Sequence, residues 1–265
     1  MYETNYHRAS SVEDAARLMG EAGEGKYLAG GMTLIATMKQ RLAAPSDLID
    51  LRHIASMKGI TVNGRNVTIG AGTSHYDVAS SDALKAVCPA LCSLASHIGD
   101  PHVRHMGTIG GSVANDDPAA DYPSAVLALN MTVKTNKREI AADDFFVGMF
   151  ETALEDGEII VSFSLEAPDK AAYQKFPNPA SRYAMAGVFV AKKGADVRVA
   201  VTGAGSNGVF RHQGMEAALK AAWAPDALAA VSVDAGMMMA DIHGNSDYRA
   251  NLVKVMAKRA VAAAG

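Results

Sequence analysis

The chain has 265 residues, of which 49% are hydrophobic and 20% charged, and its mean hydropathy is +0.04. These globular values rule out whole-chain disorder or a coiled coil, and they allow a sizeable core in one or two domains or several small subdomains. A net charge of -3 excludes a global basic field for nucleic acid, and two cysteines cannot build a disulfide scaffold or a four-cysteine iron–sulfur site.

In chain order, residues 1–8 lack the apolar core of a secretory signal, and no later run approaches the roughly 18–20 apolar residues of a membrane span. The expectation is a soluble, cytoplasmic protein. Ser10-Ser11-Val12-Glu13 reads as a capping box, followed by Val12, Ala15, Ala16 and Met19 at helical spacing. A strand over 26–29 runs into Gly30-Gly31, and a helix over 33–42 is limited by Pro45. Residues 48–51 read as a strand. Residues 60–69 form a hairpin around Asn63-Gly64. Helices are expected over 77–87, 89–97 and 123–129, and strands over 131–134 and 158–165. The intervening stretch 99–121 has no clean periodicity and reads as a long functional loop. A break with three prolines falls near 167–179. Beyond it, strand signals at 188–191 and 197–202 mix with helices, the last over 248–263 with Leu252, Val255, Met256, Ala260 and Val261 on one face. The irregular order of helices and strands argues for an α+β class.

Two glycine-centred loops carry the chemistry. Ala29-Gly30-Gly31-Met32-Thr33-Leu34 lies between a strand and a helix start, where successive N–H groups can cradle a phosphate or pyrophosphate. Its alternative is a plain strand-to-helix turn. Thr108-Ile109-Gly110-Gly111-Ser112 adds two hydroxyl donors, and Asn115 and Asp121 follow. Asp121 suits a ribose hydroxyl better than a phosphate it would repel. The alternative here is a structural loop with solvated aspartates. Two such loops from separate units could clamp one dinucleotide, and neither is a Walker A motif.

These two loops, together with Ile98-Gly99-Asp100-Pro101-His102-Val103-Arg104-His105-Met106-Gly107, Pro118-Ala119-Ala120-Asp121, Pro179-Ala180-Ser181-Arg182-Tyr183-Ala184 and Asp247-Tyr248-Arg249, resemble the FAD-binding medium subunit of the molybdenum hydroxylases. That is the flavoprotein subunit of the aerobic carbon monoxide dehydrogenase and xanthine dehydrogenase family, and the resemblance covers essentially the whole chain. It implies an α+β, PCMH-type FAD-binding fold: two α/β subdomains, 1–57 and 58–172, then a C-terminal α/β domain, 173–265. It further implies FAD on Ala29 to Leu34 and on Thr108 to Ser112, with Asn115 and Asp121 at the rest of the nucleotide. Ile98 and Ile160 would be apolar neighbours, Lys175 a basic residue near the flavin, and Tyr183 the ring beside the isoalloxazine. Ser112 resembles the carbon monoxide dehydrogenase branch, whereas Met32 departs from an often polar slot. No side chain is assigned as catalytic. The implied function is an oxidoreductase subunit that passes electrons from a partner's iron–sulfur clusters through FAD to an external acceptor. Its implied partners are an iron–sulfur (2Fe-2S) small subunit and a molybdopterin large subunit, as a dimer of heterotrimers.

Other signals compete. Gly203-Ala204-Gly205-Ser206-Asn207-Gly208 matches the dinucleotide fingerprint, with Asp226 downstream, but Arg211-His212-Gln213-Gly214 interrupts the helix that should open there. A non-redox binding or scaffold protein is the other alternative. Cys88 and Cys92 read as buried structural cysteines. His102, His105 and Asp100 are a weak metal signal, Met237-Met238-Met239 reads as packing, and Arg182 as an ion pair or a phosphate contact.

Overall fold

The first three strands of the computed structural model, which describes residues 1–265, form a parallel sheet with Asp47–Asp50 between Asn5–Arg8 and Gly25–Leu28. Ile49 packs with Val12 and Ala15 of helix Val12–Glu21, while Leu48 packs with Leu28 and with Met38 of helix Leu34–Lys39. Both faces of the central strand are thus covered, as parallel sheets require. The first helix starts one residue later than the capping box suggests. Ser11 Oγ accepts from the Asp14 N–H at 3.1 Å, and the Asp14 carboxylate accepts from the Ser10 N–H at 2.9 Å, so Asp14 takes the reciprocal role expected of Glu13.

A five-stranded antiparallel sheet follows in the order Ile60–Asn63, Asn66–Gly70, Ile160–Glu166, Thr132–Thr135, Glu139–Ala141. A helical layer is inserted between Asn66–Gly70 and Thr132–Thr135. The helix expected over 77–87 is two helices, His75–Ser80 and Asp82–Val87. Ser81 caps the second through a 3.2 Å bond from the Leu84 N–H. The long loop expected over 99–121 is largely helical as well, with Pro101–Met106 and Ile109–Asn115. Asp100 caps the first, with Pro101 at its opening position, and Thr108 caps the second. Neither carries a long apolar stripe: Pro101–Met106 buries no residue, and Ile109–Asn115, barely two turns long, has only Ile109 and Val113 at helical spacing.

The third sheet, antiparallel, is Lys170–Pro177, Ala184–Lys193, Asp196–Thr202 and Phe210–Arg211. The proline-rich break expected near 167–179 is its first strand, and the expected boundary at 173 falls inside that strand. Pro168 precedes it and Pro177 ends it, positions where a missing N–H breaks no ladder interior. On Ala184–Lys193, Phe189 and Ala191 join the core shared with the first two units, while Val188 and Val190 pack with Leu252, Val253 and Met256 of helix Ser246–Ala264. Arg249 ties that helix to the sheet by donating to the carbonyls of Met185 and Gly203 at 2.8 and 2.9 Å and to Asp241 at 2.6 Å. No helix is long and apolar enough to cross a membrane.

Candidate functional site

The two glycine loops abut. A Cβ added to Gly30 would fall well inside contact distance of the Met106 carbonyl oxygen and 2.6 Å from Gly107 Cα, while one added to Gly111 would lie 3.6 Å from Ala29 Cβ. Around this contact opens a cleft of about 1170 Å³, between the parallel sheet, the helical layer and the turn ahead of Ala184–Lys193. Its volume suits a dinucleotide rather than a small metabolite.

The loops offer different donors. In the first, the N–H groups of Ala29, Gly30, Gly31, Met32 and Thr33 donate to no acceptor in the chain, because Gly31, at φ +72°, turns the backbone between strand and helix. Such a run of unpaired amides beside a helix start is a concave anion site. In the second, the backbone is already engaged. The Ile109 N–H donates to Thr73 O at 3.1 Å, Gly110 N–H to Ala71 O at 2.8 Å, Gly111 N–H to Thr108 Oγ1 at 3.1 Å and Ser112 N–H to Thr108 O at 3.0 Å. A clamp made of amides from both loops is therefore corrected to amides from one and side chains from the other. The Ser112 hydroxyl and the Asn115 carboxamide, both on the cleft, have no partner in the chain.

Helix periodicity sorts the remaining expected residues. Gly111, Ser112 and Asn115 share the cleft face of Ile109–Asn115, which sends Ile109 and Val113 into the core with no exposed surface. Ile109 is thus removed from the cleft. Ile98, Ile160 and Tyr183 line it. Tyr183 is 49% exposed and is held by a tight turn. Asn178 Oδ1 accepts from the N–H groups of Ala180 and Ser181 at 2.9 and 3.2 Å, and Arg182 adopts φ +63°.

Lys175 is not on the cleft. Its ammonium lies 3.0 Å from the Asp121 carboxylate and donates to His97 O at 2.8 Å, with both side chains of the ion pair nearly inaccessible. Asp121 reaches the cleft wall, but its carboxylate is occupied by Lys175 and by the Tyr173 hydroxyl. Both residues therefore serve as an internal ion pair, and Asp121 is not the free ribose acceptor expected from the sequence. Glu158, also on the cleft wall, is paired with Arg138 at 3.1 Å. Burial alone would push Glu158 up, but Arg138, the Glu155 N–H and Thr135 outweigh it and hold the carboxyl at about 2. Internal pairing of these acids leaves the cleft hospitable to a phosphate.

Asp116 is different. It ends the helix in the left-handed region at φ +42°, is 1% exposed, and neither carboxylate oxygen has a partner. Burial and then the adjacent Asp117 charge push it up to about 7. The folded chain therefore keeps the Asp116 proton between about pH 4 and 7, where the unfolded chain gives it up, so stability falls as pH rises through that window. Asp116→Asn is expected to gain melting temperature over the parent at pH 8 and to lose that gain toward pH 5. A difference independent of pH would contradict this assignment.

The remaining sequence signals find structural roles. Gly203 to Gly208 connect Asp196–Thr202 to Phe210–Arg211 with no helix between them, so the dinucleotide fingerprint lacks its strand-to-helix setting. Cys88 and Cys92 are buried and free, and burial pushes them up to about 12 and about 11. His105 Nδ1 pairs with Pro101 O at 2.7 Å, and its ring stacks on Tyr76 at 4.2 Å. Residues missed from the sequence include His75 and Arg52, both on the cleft wall.

A family model described as the FAD binding domain in molybdopterin dehydrogenase matches residues 2–167. The chain is 34% identical to the carbon monoxide dehydrogenase medium chain of Hydrogenophaga pseudoflava, over 98% of this chain and 96% of that one. It is 33% identical to the nicotine 6-hydroxylase medium subunit of Paenarthrobacter nicotinovorans, over 98% and 96%. Among solved structures, reconstituted CO dehydrogenase from Oligotropha carboxidovorans superposes with a TM-score of 0.90 at 32% identity, covering 99% of this chain and 98% of that one.

Proposed function

The chain belongs to the family of FAD-binding domains of molybdopterin dehydrogenases, and from that premise we propose that its cleft holds one FAD, with the diphosphate on the free amides of residues 29–33. The observation that carries this reading is that run of unpaired N–H groups set against the second glycine loop. The Ser112 hydroxyl and Asn115 carboxamide would add side-chain donors, Ile98 and Ile160 an apolar wall, and Tyr183 an aromatic surface at the mouth. Met32, which departs from the family's usual polar residue, costs nothing here because its backbone N–H is the donor.

When bound, FAD supplies one- and two-electron redox chemistry. The chain's own task is to bind and orient it: amides in place of carboxylates at the diphosphate, Asp121 and Glu158 on the wall paired internally with Lys175 and Arg138, and no nucleophile or general acid required. The function is that of an electron-transfer subunit in an oxidoreductase complex, as in its medium-chain relatives. We place it between an iron–sulfur (2Fe-2S) small subunit and a molybdopterin large subunit, in a cytoplasmic dimer of heterotrimers, with three units divided near residue 57 and ahead of strand Lys170–Pro177. The large subunit would set the substrate.

The purified chain is expected to be yellow and to release FAD, in a ratio near one per chain, on heating. Stripped of flavin, it should gain roughly 5–10 °C in melting temperature when FAD is added at about 100 times its dissociation constant. NAD at the same concentration should leave the melting temperature unchanged. A colourless chain indifferent to FAD refutes the reading, and recovery without partner chains on affinity purification from its own cell would refute the complex.

A further inference from the structure

His75 opens the helix His75–Ser80 and lines the cleft, yet it is 5% exposed. Its Nδ1 is sealed from solvent without a partner; Nε2 also has no partner in the chain but is not sealed. The ring leans on Tyr122, centroid to centroid at 5.3 Å, and its Nε2–Cδ2 edge lies close to Gly107 of the second glycine loop. A Cβ on Gly107 would come 2.5 Å from Nε2, so only glycine admits the imidazole there. Gly30 of the free-amide loop also closes on this residue, since a Cβ on Gly30 would come 2.6 Å from Gly107 Cα. Burial, reinforced by the Arg104 charge, lowers the ring to about 4, so it is neutral at physiological pH and carries one N–H. Placing that proton on Nε2 leaves a bare lone pair, not an orphaned donor, at the sealed Nδ1.

We propose that His75 is a cofactor-positioning residue whose Nε2–H donates to a diphosphate oxygen of the bound flavin nucleotide. This rests on the reading that the cleft holds FAD. A neutral donor suits the position: it adds a hydrogen bond to an anion without burying a second charge beside Arg104. It also explains why a strongly buried histidine faces a cleft without any partner of its own, and why residue 107 lacks a side chain.

The test uses the full chain, stripped of flavin and titrated with FAD by fluorescence quenching. Glutamine carries its amide where Nε2 sits, and asparagine where Nδ1 sits. His75→Gln is expected to bind within about 3-fold of the parent, whereas His75→Leu and His75→Asn weaken binding at least about 10-fold. Parent-like affinity in His75→Leu, rescue by asparagine, or a glutamine variant as weak as leucine overturns the assignment. Should the variants fail to fold, the parent decides. Ring ¹⁵N spectra should show the His75 Nε2 signal moving on FAD addition, and a ring unchanged between the two states overturns it. A parent that binds no FAD refutes the proposed function itself; a parent that binds while His75→Leu binds equally refutes only the role of this residue.

Discussion

Gly30→Val is expected to leave the chain folded but without flavin. The new Cβ would run into the Met106 carbonyl oxygen and come 2.6 Å from Gly107 Cα. These are backbone atoms that cannot rotate away, so the two loops must separate. Separation tilts the unpaired N–H groups of residues 29–33 away from a common anion. Losing two charge-assisted hydrogen bonds at about 1.5–3 kcal/mol each weakens binding about 10²-fold or more. Gly20→Ala is the matching control. It lies in helix Val12–Glu21 with nothing within 4 Å of the added carbon, so it should stabilise the fold by about 0.5–1 kcal/mol and keep full flavin content. The measurements are flavin absorbance per chain and the affinity of the stripped protein. A yellow Gly30→Val variant of parental affinity would show that the first loop does not hold the diphosphate.

The second large effect concerns stability. Lys175→Met removes the ammonium that faces the Asp121 carboxylate inside the protein, 3.0 Å away, and leaves a buried charge held only by the Tyr173 hydroxyl. Breaking a buried pair on one side costs about 3–5 kcal/mol, roughly 10 °C in melting temperature for a chain of this size. The pair joins the third sheet to the loop ahead of helix Tyr122–Ala128, where Thr202 also donates to Ala120 O at 2.6 Å, so the loss should loosen that junction. Adding Asp121→Asn to Lys175→Met is expected to restore much of the deficit, because the stranded charge goes with it. Thermal melts of the single and double variants decide this. A single variant as stable as the parent, or a double variant that is no better than the single, would rule out the ion pair as the cause.

How far the site was legible differs from residue to residue. Gly30-Gly31 and Gly110-Gly111 were visible as loops because glycine's backbone freedom and lack of bulk are local properties. The helices around Asp100 and Thr108 were missed, although Asp100-Pro101 is itself a helix-start signal, because the first buries no residue and the second offers only Ile109 and Val113 as an apolar pair. Lys175 was assigned to the flavin by the family resemblance; its partner lies 54 residues away in sequence, and only folding brings the two together. His75 had no motif to mark it.

The sequence by itself determined the α+β class, the two glycine loops, most strands and the nucleotide reading, since periodicity, caps and small residues act over a few positions. Only the tertiary structure decided which donors remain free. The amides of Ile109 and Gly110 are consumed by the carbonyls of Thr73 and Ala71, while those of residues 29–33 meet no carbonyl at all. A hydrogen-bond donor has the same chemistry wherever it stands in the chain. Its availability depends on which acceptors the fold brings within about 3 Å, and that is a property of packing between distant segments.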